Sequence, residues 1–496
     1  MLFQSLDYIL FLTLVVGAFW ALRRQSGARL VVLFLSSCAF YMAWRAEYIA
    51  LILGSTLLDF VAGARIHAAS RRRTKRLWLA ASLTGNLGLL FAFKYYNFFA
   101  LELSEALRSW GLGSGLPLLE AALPVGISFY TFQTLSYTID IYRGRLEPTK
   151  SLLRFAAFVT YFPQLVAGPI VRASELLPQL AREARLRSEQ VGRGLFLIVV
   201  GLVKKIAIAD YLALNLVDRA FDQPELYSSL EIVLALYGFT MQLYCDFSGY
   251  TDVARGSAML MGFELPENFD RPYQATSPAD FWRRWHMTLS RWLRDYLYFP
   301  LGGSRVGPLR AYFNLGLTMF LVGIWHGWWR NFEVFFWYAL LQAGAMVGHR
   351  FVFRLSKRRK DAKDALALRA FKVFWCLQFV VFSRILFRAS SMENAAAVTA
   401  RITDGAASLY RHLFAAPLGE AELAPAITTL QITPSLWMLL VFTFAAHFTP
   451  RRLFLSFESF FLKLPAPAQG LALALAGALL SAVAAAEAVP YIYFQF

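Results

Sequence analysis

The chain has 496 residues, of which 58% are hydrophobic and only 16% are charged, and its mean hydropathy is +0.48. A soluble domain carries about 25% charged residues, so this composition excludes an ordinary soluble protein. The net charge of +17 would suit nucleic acid, but positive charge in a membrane protein collects in cytoplasmic loops. We therefore expect a lipid bilayer as partner and no nucleic acid.

Apolar segments recur from one end of the chain to the other. A transmembrane helix needs roughly 20 mainly apolar residues, so shorter segments are expected to be tilted, re-entrant or covered by neighbouring helices. The sequence therefore predicts an all-α, polytopic integral membrane protein with about 11–13 transmembrane helices plus re-entrant and interfacial helices. The segments are 2–22, 30–44, 47–64, 77–93, 122–142, 155–170, 193–209, 228–245, 313–329, 331–348, 370–387, 434–448 and 470–489.

Two basic clusters, at 71–76 and 354–363, predict how the chain is oriented. Lys and Arg are enriched in cytoplasmic loops, so both clusters and the basic loop at 451–463 are placed inside. This arrangement puts both termini outside. We expect a multi-pass protein of the inner (cytoplasmic) membrane whose N-terminus and C-terminus are periplasmic or external.

We expect a single domain, 1–496, in three stretches. Residues 1–120 are hydrophobic helices, 121–348 hold most of the unusual polar residues, and 349–496 contain C-terminal helices and a tail. Polar residues and helix breakers at membrane depth survive only when they are buried in protein or line a cavity. The middle stretch therefore predicts a cavity, and the polar connection at 389–433 predicts a loop or a short surface helix.

The segment 277–300 reads as one amphipathic helix lying in the membrane interface. Ser277 is a predicted N-cap, followed by a first-turn proline and an acidic third residue. His286 falls in the apolar arc. An ionisable ring is unexpected there, so His286 is a candidate functional residue. That arc contains Trp282, Trp285, Leu289, Trp292, Leu293, Tyr296, Leu297 and Phe299, and the opposite face contains Arg283, Arg284, Arg291, Arg294 and Asp295.

His326 lies in the run GIWHGWW at the end of an otherwise apolar segment. Neutral imidazole tolerates a low dielectric and is suited to general-base chemistry near neutral pH, and the bare backbone of Gly327 would let a substrate approach. The residues alone leave a catalytic base and a packing histidine equally open. Among the others, His67 and His349 are expected to be solvated, His412 to lie in the polar connection and His447 at the membrane interface.

Seven motifs follow one another in an order that resembles the membrane-bound O-acyltransferase superfamily, and in particular the bacterial branch typified by the alginate O-acetylation membrane protein. The resemblance covers about 85–390 and a C-terminal run, YIYFQF, of the type that this branch carries. The motifs are LPVGISFYTFQ at 123–133 with IDIYRG at 139–144, FPQLVAGPI at 162–170, DFSGY at 246–250, FWRRWH at 281–286, WLRDYLY at 292–298, PLGG at 300–303 and WHG at 325–327.

The resemblance implies an O-acyltransferase fold around a tunnel, with 121–348 as its catalytic core. His326 matches the catalytic histidine of the family, and His286 matches a second polar residue of the tunnel. The acyl donor is expected to be cytoplasmic acetyl-CoA, and no bound cofactor is expected. The scattered cysteines at 38, 245 and 376 indicate no metal site.

The expected activity is O-acetylation of an extracytoplasmic polysaccharide such as alginate, through an exported SGNH-type acetyltransferase partner. His326 would be the general base, indole N–H groups or His286 would stabilise the oxyanion, and arginines would hold the CoA phosphates unless they only snorkel to the interface. The further donor and tunnel candidates are Gln133, Asp246, Ser248, Trp282, Arg283, Arg284, Trp285, Arg291 and Trp325.

Several alternatives stay open at this point. The polymer is equally compatible with peptidoglycan, cellulose or another glycan, and a related branch transfers D-alanine to teichoic acid. The same fold also acylates lipids. A non-enzymatic transporter would tolerate loss of His326.

The C-terminal tail carries the boldest expectation. The charge pattern places it near the external face, and an acyl group that crosses the membrane needs a carrier. Tyr493, or failing that Tyr491, is predicted to hold the acyl group transiently. The alternative is an aromatic anchor at the membrane interface.

Overall fold

The computed structural model describes residues 2–112, 115–166, 168–327, 331–356, 364–415, 419–485 and 489–492, without the side chain of residue 421. Within these ranges the chain is helical and contains no strand, which confirms the predicted all-α class. The α-helices are α1 Leu6–Ala21, α2 Ser26–Met42, α3 Ile49–Ala68, α4 Arg72–Lys94, α5 Tyr96–Ser109, α6 Ile127–Tyr142, α7 Leu152–Thr160, α8 Phe162–Leu165, α9 Ala173–Ala181, α10 Ser188–Leu202, α11 Asp218–Asp222, α12 Ser229–Leu260, α13 Pro278–Arg284, α14 Met287–Leu293, α15 Pro308–His326, α16 Phe332–Leu355, α17 Leu366–Arg388, α18 Met392–Phe414, α19 Glu420–Ile427, α20 Pro434–Phe448, α21 Arg451–Lys463 and α22 Ala466–Val483.

Short segments with other helical geometry extend or connect these helices. Wider π-type turns continue α10 and follow α14, and tighter 3₁₀ turns join other elements. The π-type segments are Val203–Asp210, Ala213–Val217 and Arg294–Tyr298, and the 3₁₀ segments are Ala46–Tyr48, Pro224–Leu226 and Pro272–Gln274.

The chain is a multi-pass membrane protein. Four helical stretches are long and apolar enough to cross a bilayer by length and composition, namely Ala46–Ala68, Arg72–Lys94, Leu366–Arg388 and Ala466–Val483. Shorter apolar helices are Leu6–Ala21, Ser26–Met42 and Pro434–Phe448. Other predicted crossings, such as α6 and α12, carry polar side chains that are buried inside the protein, so they are shielded from lipid as the membrane environment requires.

Two apolar segments differ from their predicted form. The segment 155–170 is broken at Tyr161, where α7 stops and the single turn of α8 begins. The segment 122–142 becomes helical only after Gly126, which has a φ of 74°. A Cβ atom at Gly126 would lie 2.2 Å from the carbonyl oxygen of Leu165, so this turn requires glycine.

The prediction of a loop or short surface helix at 389–433 was wrong. Most of that connection is α18, a helix of 23 residues capped by the Ser391 side chain. Its buried positions are Ala395, Val398 and Gly405, and a Cβ atom at Gly405 would lie 2.1 Å from the side chain of Ser229 on α12. A narrow strip of small residues is enough to dock α18, which explains its low average hydropathy.

Glycines bring α10 and its π-type extension unusually close to α12. A Cβ atom at Gly201 would lie 2.5 Å from the carbonyl oxygen of Gly249, and one at Gly256 would lie 2.4 Å from that of Gly194. Small residues permit such backbone contact between membrane helices. The close approach sets the extension of α10 directly against the polar stretch of α12.

One hydrophobic core joins the beginning, middle and end of the chain. Its buried members run from Phe3 through the central helices to Ile492. The core is therefore shared by all three stretches defined from the sequence, and their boundaries at 120 and 348 remain a prediction.

Candidate active site

His326 is the last residue of α15, and its side chain is buried. Its Nδ1 atom lies 2.7 Å from the carbonyl oxygen of Val322, one turn earlier. Because a carbonyl oxygen only accepts hydrogen bonds, Nδ1 carries the hydrogen. The neutral ring then has its lone pair on Nε2, which is the basic nitrogen that proton abstraction requires.

Gly327, the residue after His326, ends the helix. A Cβ atom there would lie 2.8 Å from the Cβ of Phe335 on α16, so the bare backbone of Gly327 accommodates helix packing. The glycine allows α16 to pack tightly beside the histidine. Its expected role in substrate approach stays a prediction.

A cavity of about 240 Å³ reaches His326. Its wall is formed by the segment before α6, residues 122–129, together with Trp44, Lys94, Val166 and Trp325. The cavity predicted for the middle stretch is therefore present. A single water molecule needs about 10–15 Å³ of such space, so the cavity is large enough for a small ligand.

Lys94 is a cavity residue that sequence reasoning missed. It is buried at the end of α4, its Nζ donates a hydrogen bond to the Trp325 carbonyl, and it lies 5.2 Å from the centre of the Trp325 ring. An ammonium group at the end of α15 caps a free carbonyl and complements the helix dipole. The signal was a lysine directly after an apolar segment, at membrane depth.

The predicted continuous helix at 277–300 was wrong. The N-cap is confirmed, because the Ser277 side chain accepts a hydrogen bond from the Asp280 N–H, but the helix breaks after Arg284. His286 adopts a left-handed backbone with φ 44° and ψ 55°. Left-handed backbone costs a non-glycine residue about 1–2 kcal/mol, so the surrounding structure must hold it there.

Asn268 holds this break from the preceding connection. Its carbonyl accepts from the Met287 N–H at 2.9 Å, and its side-chain Oδ1 accepts from the Thr288 N–H at 3.2 Å and from the Thr288 hydroxyl at 2.9 Å. The break turns His286 inward instead of along a helix surface. His286 is fully buried as a result.

The orientation of His286 indicates which of its nitrogens is basic. Nδ1 lies 3.2 Å from the same Asn268 oxygen, which already accepts from Thr288, so Nδ1 is the donor. The His286 Nε2 atom and the indole N–H of Trp325 are both buried and have no hydrogen-bond partner among the described residues. One acceptor and one donor are thus left for a bound molecule.

The two histidines that the sequence singled out meet around one indole ring. The Trp325 ring centre is 4.8 Å from that of His326 and 6.4 Å from that of His286. Phe129 at the start of α6 contacts both Trp325 and His286, at 6.4 and 6.0 Å. Residues far apart in sequence therefore form one aromatic wall between the cavity and the interior.

The remaining candidates on α13 and α14 separate into two groups. Trp282 and Trp285 are buried, and the Trp282 indole donates to the Gln342 side chain at 3.3 Å. Arg283 is 74% exposed, whereas Arg284 is partly covered and pairs with Asp280 at 3.1 Å. Arg291 is half-buried, and Phe299, expected in the apolar arc, is exposed instead.

Gln133, Asp246 and Ser248 are all buried, but they do not line the cavity at His326. The amide of Gln133 has no hydrogen-bond partner in the described part of the chain. Asp246 lies 2.8 Å from the ammonium group of Lys205. This ion pair assigns Asp246 to a network between α12 and the extension of α10.

Tyr491, one of the two tyrosines that the tail was expected to present, lies in a different environment from the predicted one. Tyr491 is fully buried and its ring lies 4.5 Å from that of Tyr250 on α12, so it is neither presented at a surface nor an interfacial anchor. Tyr493 lies outside the described residues. The reason is an interior slot lined by aromatic rings of α12, which hydropathy cannot reveal.

His447, expected at the membrane interface rather than in the catalytic centre, lies near the end of α20. It is buried, and its Nε2 accepts a hydrogen bond from the Tyr273 N–H at 3.2 Å. Tyr244 packs edge-on against it at 4.7 Å. This histidine fixes the connection before α13 and belongs to helix packing, away from the cavity.

Arg384 on α17 is a second buried cation that the sequence did not single out. Its guanidinium group lies 5.0 Å from the ring centre of Trp285 and 5.2 Å from that of Phe387. The Phe387 ring in turn lies 5.9 Å from that of His326. Arginine stacks on aromatic faces in this manner, so Arg384 ties α17 to the aromatic wall.

Replacing His286 with asparagine tests the shared site. Asparagine tolerates left-handed backbone, so the fold should persist while the imidazole is lost. We expect the acyl transfer that the motif resemblance implies to fall by about ten- to a hundredfold, less than for loss of His326, and the double variant to match His326→Ala alone. Product-release assays on purified variants measure this. A double variant that loses the product of the two single effects would show that the histidines act independently.

Comparison with known proteins identifies the same family that the motifs resemble. Residues 123–391 match the membrane-bound O-acyltransferase family. A probable alginate O-acetylase AlgI of Pseudomonas putida is 39% identical over 391 residues, covering 78% of this chain and 77% of that protein. The peptidoglycan O-acetyltransferase of Helicobacter pylori is 35% identical over 391 residues, with 73% and 71% coverage. The teichoic acid D-alanyltransferase of Bacillus subtilis is 31% identical over 277 residues, with 52% and 68% coverage.

Proposed function

The chain belongs to the membrane-bound O-acyltransferase family and is an O-acyltransferase, and we propose that it moves acetyl groups from cytoplasmic acetyl-CoA to an extracytoplasmic polysaccharide. The observation that carries the proposal is the placement of His326. Its Nδ1 is fixed by Val322, and its ring reaches a cavity shared with Lys94 and Trp325. A positioned base beside a buried cation and a spare N–H donor is suited to acyl transfer.

His326 is proposed as the general base. Its Nε2 takes the proton of the acceptor hydroxyl as that oxygen attacks the thioester carbonyl of acetyl-CoA. The new C–O bond forms, the C–S bond breaks, and the imidazolium returns its proton to the departing thiolate. A base of this kind contributes roughly 10²–10⁴-fold to the rate.

Charge that develops on the carbonyl oxygen needs a donor. The Trp325 indole N–H and the Lys94 ammonium group are the proposed donors, because both line the cavity that His326 reaches. His286 is less suited to this role than the sequence suggested, since its Nδ1 is occupied by Asn268 and its Nε2 accepts. We assign His286 the orientation of the acceptor hydroxyl.

The donor side is proposed to involve the arginines of α13 and α14. Arg283 is largely exposed, and Arg284 and Arg291 lie on the same short helices. Guanidinium groups bind phosphate in bidentate fashion, so they are suited to the phosphates of CoA at the cytoplasmic face. The alternative for these arginines is a snorkelling interfacial surface, in which Arg283 and Arg284 pair with Asp280.

The acetyl acceptor is proposed to reach the protein from the membrane face on which both termini lie. Gln4 donates to the carbonyl of Val489 at 2.9 Å, so the terminal segments contact each other. The basic clusters at 71–76 and 451–463 favour placing the opposite face in the cytoplasm of the inner membrane. An exported SGNH-type acetyltransferase would then receive the acetyl group outside and pass it to the polymer.

The polymer is proposed to be alginate or a similar exopolysaccharide, because relatives named for alginate acetylation match over most of the chain. A relative named for peptidoglycan acetylation matches over a similar span. The teichoic acid D-alanyltransferase match supports a second candidate, transfer of D-alanine, with less of this chain covered. Acetyl ester and D-alanyl ester are chemically distinct products, so one extraction separates the two activities.

Deleting the gene in its native cell tests the function. We expect the ester-linked acetate of the purified exopolysaccharide to disappear and to return with the wild-type chain but not with His326→Ala. Proton NMR of the polymer and chromatography of released acetate and D-alanine give the measurement. Unchanged acetate, or loss of D-alanine instead, would contradict acetyl transfer as the activity.

A further inference from the structure

Two lysines of the α10 extension make parallel ion pairs with α12. Lys204 lies 2.6 Å from Asp252, and Lys205 lies 2.8 Å from Asp246. The glycine contacts between these helices bring the two pairs within one face-to-face packing surface. Among the described residues, only the second pair has a further acidic partner, because Lys205 also lies 2.7 Å from Asp210.

The Lys205 network is buried and contains two carboxyl groups for one ammonium group. Asp246 and Asp210 together face a single ammonium group. A buried carboxylate oxygen that lacks a donor is costly. The network is therefore incomplete on α12 and α10 alone, and one further donor is required at Asp246.

The C-terminal segment supplies that donor. The backbone N–H of Ile492 donates to Oδ2 of Asp246 at 2.8 Å, while Oδ1 faces Lys205. Hydrogen bonds to an ionised acceptor are about twice as strong as neutral ones. A single carboxylate thus joins the last described residue of the chain to the membrane core.

The N-terminus secures the same segment from the other side. Gln4 donates to the carbonyl of Val489 at 2.9 Å, and its side-chain oxygen accepts from the hydroxyl of Tyr250 at 2.8 Å. Tyr491, between the two attachment points, packs its ring on Tyr250. Gln4 from the start of the chain and Asp246 and Tyr250 from α12 therefore converge on four residues of the tail.

The attachment lies beside the proposed catalytic centre. Phe247, the residue after Asp246, contacts the ring of His286 at 4.8 Å and that of Tyr491 at 5.6 Å. Residues 489–492, the anchored tail, are consequently separated from His286 by one aromatic ring. The residues after Ile492 are therefore joined to the chain beside the proposed catalytic centre.

We propose that Asp246 is a positioning residue that anchors the C-terminal tail beside the catalytic centre, with Lys205 holding its charge and Gln4 and Tyr250 completing the attachment. The role replaces the contact with donor or tunnel expected from the sequence. Its consequence for acyl transfer rests on the proposed function, whereas the anchoring itself does not. This role accounts for three residues of the DFSGY motif, because Asp246, Phe247 and Tyr250 all contact the tail.

Paired alanine substitutions test the anchoring on the full-length protein. Asp246→Ala removes the acceptor of the Ile492 N–H, and Asp252→Ala removes the neighbouring ion pair, which contacts no described tail residue. Carboxypeptidase digestion followed by intact-mass spectrometry reports how far the tail is accessible. We expect cleavage past residue 492 to be at least about tenfold faster in Asp246→Ala and unchanged in Asp252→Ala.

A second variant guards against a folding defect. Ile492→Pro removes the backbone donor together with a buried side chain but leaves the Lys205 network intact, so it should release the tail without loss of the ion pair. Protection of the tail equal to that of the wild-type protein, in both Asp246→Ala and Ile492→Pro, would overturn the proposal.

Acyl transfer measured on the same variants separates the proposal from the function on which it rests. We expect a loss of transfer that follows tail release. If the tail is released and transfer persists, the anchoring stands and the role of the tail in catalysis is refuted. If His326→Ala retains transfer, the proposed function fails whatever the state of the tail.

Discussion

Alanine at position 326 is expected to reduce polymer acetylation to background. The proposed base is the Nε2 atom of His326, whose tautomer is set by the Val322 carbonyl, and no second imidazole lines the same cavity among the described residues. Loss of general-base catalysis lowers the rate by roughly 10²–10⁴-fold. The remaining acetylation would then be too low for ester measurement on the polymer to detect. Radiolabelled acetyl-CoA and purified protein in lipid vesicles provide the direct rate.

His447 offers a matched control for this experiment. It is also a buried histidine, but its Nε2 is occupied by the Tyr273 N–H, away from the cavity. His447→Ala should lower the thermal midpoint of the protein and leave the transfer rate per folded molecule unchanged. Transfer within about twofold of wild type in His326→Ala would remove the catalytic assignment.

The sequence predicted the helical class because hydropathy acts locally. Nearly every apolar segment folds as a helix, and the start at Ser277 follows from side-chain capping that needs only neighbours three residues away. The motif order also placed His286 and His326 in one centre, and the structure brings both against Trp325. Local chemistry and motif order were sufficient for these features.

The features that were missed depend on partners far along the chain. The break at His286 is fixed by Asn268, and the buried position of Tyr491 by rings on α12. An amphipathic pattern through 277–300 is compatible with both a straight helix and a broken one, since the tryptophans are buried in either case. Only the tertiary contacts of Asn268 distinguish them.

Lys94 and Arg384 illustrate the same limit for charge. Each follows or interrupts an apolar segment, which marks it as unusual without saying what it faces. Their positions beside Trp325 and Trp285 come from the packing of α4 and α17 against the centre. Two cations that look interfacial in sequence thus surround the proposed base.

The second prediction with a large expected effect on polymer acetylation concerns the C-terminal tail. An acyl group handed to an exported partner needs a carrier, and a tyrosine phenol can serve as one, taking the acetyl group on its oxygen as the thiol departs. The ordinary pKa of a phenol is about 10, so a neighbouring base is required. Tyr491 is packed into the aromatic slot, and Tyr493 is the first tyrosine beyond the anchored segment, so we propose Tyr493 as the carrier.

Tyr493→Phe is therefore expected to reduce polymer acetylation to background, since the substitution keeps the ring and removes only the nucleophile. Tyr491→Phe is the matched control, because phenylalanine can keep the packing on Tyr250 and Phe247, and it should retain most of the activity. Mass spectrometry of tail peptides from wild-type protein incubated with labelled acetyl-CoA should find acetyl-tyrosine at position 493, and none in His326→Ala. Full acetylation in both phenylalanine variants would leave the tail with a packing role alone, and the acetyl group would have to pass from the His326 centre to its acceptor directly.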